Sequence, residues 1–262
     1  MRSQESVTQD VQATTAVIRF ASDPSGTITN KGAGMLADAV EAVLADPAIR
    51  TVVLTGAAPG VFIRHADVGQ IARAAQALAD GRTSPEAFLS APFQRLGALL
   101  DGARKPVIAA INGVCMGGGF EIALACTMRV AGAEVAAIGL PEIRIDIFPG
   151  AGGTQRLARL IGRHRARLFM LAGAVVDARQ AAAAGLVDEV ATDPLVRALE
   201  LAADFAQRSP DAVAAIMALT AADDAAGLQD EALAFAAVLG APDVQARLER
   251  FVADGDALDR LA

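Results

Sequence analysis

Apolar and polar positions along this chain follow two rhythms. Short β-branched runs at Val17–Phe20, Thr51–Thr55, Val107–Ile111, Met128–Ala131 and Val187–Val190 are bounded by Gly, Pro, Asp or Asn, which predicts strands buried on both faces. Between them, helical periodicity covers Met35–Ala45, Ala66–Leu78, Pro85–Leu100, Phe120–Ala125 and Thr154–Ile161, and Asp46-Pro47 ends the first of these. Strand followed by helix, repeated, is the pattern of an α/β core. From about Leu195 the strand-like runs stop, while helical periodicity continues through Ser209-Pro210 and Ala241-Pro242, where a first helical turn tolerates proline. The expected organisation is a core over residues 1–194 and a helical C-terminal region over 195–262. The Ala- and Leu-rich faces of that region suit packing on the core or on a neighbouring subunit.

Composition narrows the partners. The chain has 262 residues, 53% of them hydrophobic, enough for a substantial core. Every apolar run is interrupted by Arg, Asp or Glu before reaching the roughly 20 residues of a membrane span. The first twelve residues lack the basic start and apolar middle of a signal peptide, so a soluble, cytoplasmic protein with no membrane partner is expected. A net charge of −7 and the absence of Trp and Tyr leave neither a basic track nor a stacking surface for nucleic acid. The two cysteines, Cys115 and Cys126, stand in apolar segments without zinc or redox spacing and read as buried thiols. No metal site is expected.

The chemistry concentrates between Lys105 and Arg156. The strand Val107–Ile111 leads through Asn112-Gly113 into Gly117-Gly118-Gly119, a glycine turn that opens a helix. No lysine follows at P-loop spacing, and Gly150-Ala151-Gly152 has Gln155 where a dinucleotide fingerprint needs its third glycine. What remains is a helix start whose free N–H groups suit a developing oxyanion. Glu121 falls in the first turn of that helix among apolar neighbours, and Glu142 follows Leu140-Pro141. Each has a plain structural reading, Glu121 as a capping carboxylate and Glu142 as a solvent-facing loop acid. Together they suit holding one water and relaying one proton for hydration of a polarised double bond.

These residues, followed by Pro149-Gly150-Ala151-Gly152-Gly153-Thr154-Gln155-Arg156-Leu157, closely resemble the enoyl-CoA hydratase/isomerase, or crotonase, superfamily. The resemblance covers about Ser6 to Val190 well and the C-terminus loosely. It implies a spiral ββα core with a C-terminal helical region, assembled as a homotrimer or hexamer. The substrate would be an acyl-CoA thioester, with no separate cofactor because coenzyme A is part of the substrate. By the same resemblance the thioester carbonyl sits between the backbone N–H groups of Gly118 and Arg64. Glu121 helps deprotonate and orient the water, Glu142 exchanges the proton beside the thioester, Gly150 lines the water pocket by its backbone, and Pro141 shapes the approach of Glu142. His65, Ala66, Asp67, Val68 and Gly117 are then substrate-binding residues.

The chain departs from the family pattern in several places. His65 replaces the usual glycine of the oxyanion loop, and Asp146 stands where a small glycine is typical. The basic residue before Asn30 is absent, leaving Lys31, Arg64 and Arg104 as weak candidates for holding phosphates. His164 reads as a surface residue, and only Leu228 to Phe235 echoes the family's C-terminal signature. The leading expectation is hydration of a 2-enoyl-CoA to a 3-hydroxyacyl-CoA. The alternatives are a crotonase-type double-bond isomerase or thioester hydrolase, or a non-catalytic acyl-CoA-binding or assembly protein.

Overall fold

In the computed structural model, which describes residues 5–220, 232–233 and 235–255, the buried strands β3 (Thr51–Gly56), β5 (Val107–Ile111) and β7 (Met128–Gly132) are each followed by a shorter strand before the chain turns into a helix. The chain opens with a hairpin of β1 (Ser6–Gln12) and β2 (Thr15–Ala21), then forms α1 (Asn30–Ala45). Next come β3 (Thr51–Gly56), β4 (Gly60–Ile63), α2 (Val68–Ala79) and α3 (Pro92–Asp101). The second unit is β5 (Val107–Ile111), β6 (Gly113–Met116) and α4 (Gly118–Ala125). It is followed by β7 (Met128–Gly132), β8 (Ile138–Gly139), α5 (Gly153–Ile161), α6 (Arg163–Leu171), β9 (Val175–Val176), α7 (Ala178–Ala183) and β10 (Glu189–Ala191). Helices α8 (Pro194–Ala206), α9 (Pro210–Leu219) and a C-terminal helix, Pro242–Ala253, complete the description.

One sheet has the order β1-β2-β3-β5-β7-β10 and is parallel except for the β1–β2 hairpin; the other has the order β4-β6-β8-β9. Successive ββα units thus place one strand in each sheet, the spiral α/β arrangement that the resemblance implies. Alternation along the central strands divides the core. Val17, Val53, Ile108 and Val130 face α8 through Ala198 and Ala202. Their sequence neighbours Ile18, Leu54, Val107 and Ala131 join Leu36 and Val40 of α1 and the apolar side chains of α4 in the main core. Full burial of each such large side chain contributes roughly 1.5–3 kcal/mol. Helix α8 therefore belongs to the core sheet, one of the two placements its apolar face allowed.

Several boundaries differ from the sequence reading, each for a local reason. Helix α1 begins at Asn30 rather than Met35, because Thr29 caps it by accepting from Gly32 N at 3.1 Å; the glycines at 32 and 34 had masked this start. The single helix expected over Pro85–Leu100 is a 3-10 turn, Pro85–Ser90, followed by α3. Pro92 forces Ala91 into extended backbone (φ −62°, ψ 148°), which breaks the run. The last strand is Glu189–Ala191, half-buried at the sheet edge, not Val187–Val190 buried on both faces; Val187 instead packs into the main core. Four residues of the Leu228–Phe235 stretch, 228–231, and residue 234 lie outside the described residues.

Both cysteines are buried free thiols. Burial pushes Cys126 up to about 12 and Cys115 also well above the usual thiol range, so neither supplies a nucleophile. His164 is exposed at the start of α6. No helix among the described residues is long and apolar enough to cross a membrane.

Asp193 caps α8 by accepting from Leu195 N and Val196 N at 2.9 and 3.0 Å. Asp193→Ala is expected to lower the unfolding free energy by about 1 kcal/mol, seen as a lower urea midpoint with an unchanged slope. An unchanged midpoint would show that the packing of α8 on the sheet fixes its start without the cap.

Candidate active site

Three consecutive glycines let two backbones approach more closely than side chains allow. A Cβ on Gly119 would stand 2.1 Å from the carbonyl oxygen of Ile63, which excludes any side chain there. Gly117 has φ 49° and ψ −130°, a conformation open to glycine, and its α-carbon faces both Glu142 and His65. Gly118 begins α4, so its N–H has no intrahelical acceptor. Strand β6 enters this turn paired with β4, with Met116 N bonded to Arg64 O at 3.0 Å.

Helix α4 is buried along its whole length, which suits its almost entirely apolar sequence and isolates its one carboxylate. Glu121 is 4% exposed, and its Oε1 accepts from Ala151 N at 2.7 Å and Gly153 N at 2.8 Å. Burial raises the Glu121 carboxyl above the usual range; the two backbone donors and the nearby Arg156 guanidinium oppose that rise. Arg156 is held by Asp101 (Nη2 to Oδ2, 2.6 Å) and donates to Ala151 O at 2.6 Å, which fixes the turn whose amides reach Glu121. Glu142 opens a 3-10 turn, Glu142–Ile145, after Pro141 and is also buried, so it is not a solvent-facing loop acid.

The loop before α2 corrects one expected role. Arg64 N donates to Gly26 O at 2.8 Å and is therefore committed within the fold. In the parallel bridge of Ile28 with Ala66, Ile28 N donates to His65 O and Asp67 N donates to Ile28 O. Successive amides of extended backbone point to opposite sides, so the Ala66 N–H faces away from Ile28. The Ala66 amide nitrogen lies 3.4 Å from where a Cβ on Gly118 would be, so the donor beside Gly118 is Ala66. His65 is buried at ordinary negative φ, so the loop does not need glycine there, and its Nδ1 lies 2.8 Å from Ala66 O.

One cavity gathers His65, Ala66, Asp67, Val68, Gly117, Gly118, Glu121, Glu142 and Gly150. Pro141 and Arg64 stand outside its lining; Pro141 caps the turn of Glu142 from behind, and the Arg64 side chain donates to Ser25 O. Asp67 contributes mainly as the N-cap of α2, accepting from Gln70 N at 2.8 Å.

The family model for enoyl-CoA hydratase/isomerase matches residues 10–250. The chain belongs to the enoyl-CoA hydratase/isomerase family. YngF of Bacillus subtilis (strain 168), named for enoyl-CoA hydratase/isomerase, is 45% identical over 167 residues, 63% of this chain and 61% of that protein. The 2,3-dehydroadipyl-CoA hydratase of Escherichia coli (strain K12) is 41% identical over 182 residues, 69% of this chain and 67% of that one. The matched stretches thus span 61% and 67% of these relatives' own lengths. The carnitinyl-CoA hydratase structure from Mycobacterium avium superposes with a TM-score of 0.79 at 25% identity, covering 96% of this chain and 97% of that one.

Within this family member the remaining candidates separate by position. Lys105 Nζ bonds Asp46 O at the C-terminal end of α1, which puts the Arg104–Lys105 segment at the opposite end of that 16-residue helix, about 24 Å long, from Asn30 in the cavity wall. Lys31 is exposed on α1. Arg73 lines a second cavity with Asp23, Ser25 and Thr27, and that cavity shares Asp67 with the first. Sequence reasoning missed Arg73, the Ala151 and Gly153 donors, and the Asp101–Arg156 pair, because each acts through contacts remote in sequence. Four of the chain's 10 phenylalanines line the main cavity, Phe88, Phe93, Phe148 and Phe235, and the sequence carries no periodic sign of it.

Glu121 binds its proton more tightly in the folded chain than in the unfolded one, where the carboxyl titrates near 4.5. Folding stability therefore falls as pH rises from 4.5 through the raised folded value. Glu121→Gln keeps an oxygen for both amide donors and removes this penalty. Urea denaturation at acid and neutral pH should show the variant gaining stability over wild type as pH rises; a gain that shrinks with pH contradicts the burial effect.

Proposed function

We propose that this chain is a hydro-lyase that adds water across the double bond of a 2-enoyl-CoA to give a 3-hydroxyacyl-CoA. The observation that carries this reading is that two buried carboxylates, Glu121 and Glu142, share one cavity with the amides of Gly118 and Ala66. The thioester oxygen accepts from those two N–H groups, at a helix start whose dipole favours negative charge. As water adds to C3, the C2–C3 π bond breaks and its electron pair moves toward the carbonyl, so these donors act most strongly on the transition state.

Both amides that reach Glu121 converge on Oε1, which leaves Oε2 to orient the water and take its proton. The raised affinity of Glu121 for protons brings it closer to the range where proton transfer is efficient. Glu142, packed against Gly117, delivers the proton to C2. An isomerase needs one proton shuttle and a hydrolase needs none at C2, so the second buried carboxylate favours hydration. The pantetheine and nucleotide of the substrate run toward the second cavity, where Arg73 is the cation in the wall. The same reading assigns the exposed Leu168, Leu171, Ile216 and Leu219 to subunit contacts in a homotrimer or hexamer.

The test follows loss of the conjugated thioester's ultraviolet absorbance with a short 2-enoyl-CoA. Glu121→Gln and Glu142→Gln are each expected to lower kcat by about 10²–10⁴-fold. Full activity in either variant would sink the two-carboxylate mechanism, and a shifted double bond in the product would replace hydration with isomerisation. Size-exclusion chromatography with light scattering should give a mass of three or six chains; a monomer contradicts the subunit contacts.

A further inference from the structure

The wall of the cavity outside the carboxylates and amides is mostly apolar, with Phe88, Phe148, Phe235, Ile71, Ile147 and Leu239 among its large side chains. Among the described residues of that wall there is no lysine or arginine. Of its uncharged amide side chains, Gln70 and Gln94 are each held by a backbone partner. Gln70 Oε1 accepts from Asn30 N at 2.9 Å, and Gln94 Nε2 donates to Gly150 O at 2.8 Å. Asp67 caps α2, and the His65 imidazole turns its Nδ1 to Ala66 O.

Phe235 has a particular place in this wall. Its ring lies edge-on to Phe148 and Phe88, with centroids 5.5 and 6.3 Å apart. Its ring atoms also stand 2.4–2.7 Å from where a Cβ on Gly150 would be. The ring therefore lies directly on the backbone at Gly150, next to the Ala151–Gly153 turn that holds Glu121.

We propose, resting on the hydratase reading, that the acyl group accepted here is an uncharged aliphatic chain, that a terminal carboxylate is excluded, and that Phe235 limits the chain's length. A carboxylate carried into this wall would lose its hydration without gaining a cation, beside two further carboxylates at Glu121 and Glu142. A methylene chain gains contact with the rings at no such cost. This separates the chain from its E. coli relative, which is named for an acyl group that ends in a carboxylate.

The test uses the full chain with straight four-, six- and ten-carbon 2-enoyl-CoAs and the six-carbon 2-enoyl-CoA bearing a terminal carboxylate. Calorimetric binding of hexanoyl-CoA and adipyl-CoA runs in parallel, so that specificity is read even without turnover. The uncharged six-carbon substrate should exceed the carboxylated one by about 100-fold or more in kcat/KM, with hexanoyl-CoA the tighter ligand. Phe235→Ala should raise the ten-carbon to four-carbon ratio by about 10-fold, and Phe235→Leu by less. Ala74→Arg, which places a cation in the wall, should move the ratio toward the carboxylated substrate by about 10-fold or more. Equal or better handling of the carboxylated compounds overturns the exclusion, and an unchanged length ratio in both Phe235 variants overturns the stop. Hexanoyl-CoA preference without any hydration supports the pocket's specificity while refuting the hydratase reading.

Discussion

The structure depends on one close approach, that of the Gly117–Gly119 turn to the Ile63–Ala66 segment. With no side chain possible at Gly119, the start of α4 rests against the Ile63 carbonyl, and Met116 N and Gly117 N tie the turn to Arg64 O and Gly139 O. Three consequences follow from that contact. The Gly118 and Ala66 amides become neighbours, α4 is pulled into the core, and Glu121, one turn in, is carried to the cavity. A methyl group at Gly119 would push the helix outward by more than an ångström, and misplacement on that scale costs about 10²-fold where reacting groups must be aligned.

Pulling α4 inward buries a carboxylate, and much of the surrounding polar structure answers that cost. Ala151 N and Gly153 N solvate Glu121 in place of water. Their turn is held in shape by Arg156, whose own charge is met by Asp101 and the Ala151 carbonyl. Helices α3, α4 and α5 are thus joined by one chain of charge-assisted hydrogen bonds. Removing Arg156 would leave both Asp101 and Glu121 less compensated, so its effect would exceed that of one lost ion pair. Glu121 remains raised in pKa despite this network, as expected where function and stability conflict.

The long strands were legible because both their faces are buried, so continuous β-branched runs such as Thr51–Thr55 stand out without alternation. The second sheet was not, since its strands of two to four residues fall below any periodic window and three of the four contain glycine. The same difference governs the site. Glu121, Glu142 and Gly118 announce themselves through local chemistry, a carboxylate among apolar residues and a glycine at a helix start. Which amide stands opposite Gly118 is set by a bridge between Ile28 and Ala66, and no spacing within Ile63–Asp67 distinguishes Arg64 from Ala66. The aromatic wall is assembled from residues as far apart as Phe88 and Phe235, so it becomes visible only in three dimensions.

Asp146 shows how the C-terminal region is joined to the catalytic turn. It sits at φ 61° and ψ 25°, a left-handed conformation that costs a non-glycine residue on the order of 1 kcal/mol, although aspartate tolerates it better than most. Its carboxylate makes an ion pair with Arg247 on the C-terminal helix, an interaction glycine could not supply. That helix packs Val244, Leu248 and Phe251 against Val68 and Ala75 of α2 and against Ile145 and Ile147, which flank Asp146. The turn bearing Glu142, the capped start of α2 beside Ala66, and the helix that covers them therefore share one apolar cluster. That cluster is contiguous with the phenylalanine wall through Phe88 and Phe235, so the same packing shapes the cavity and fixes Glu142. Loosening the C-terminal helix would then disturb the turn of Glu142 and the phenylalanine wall together.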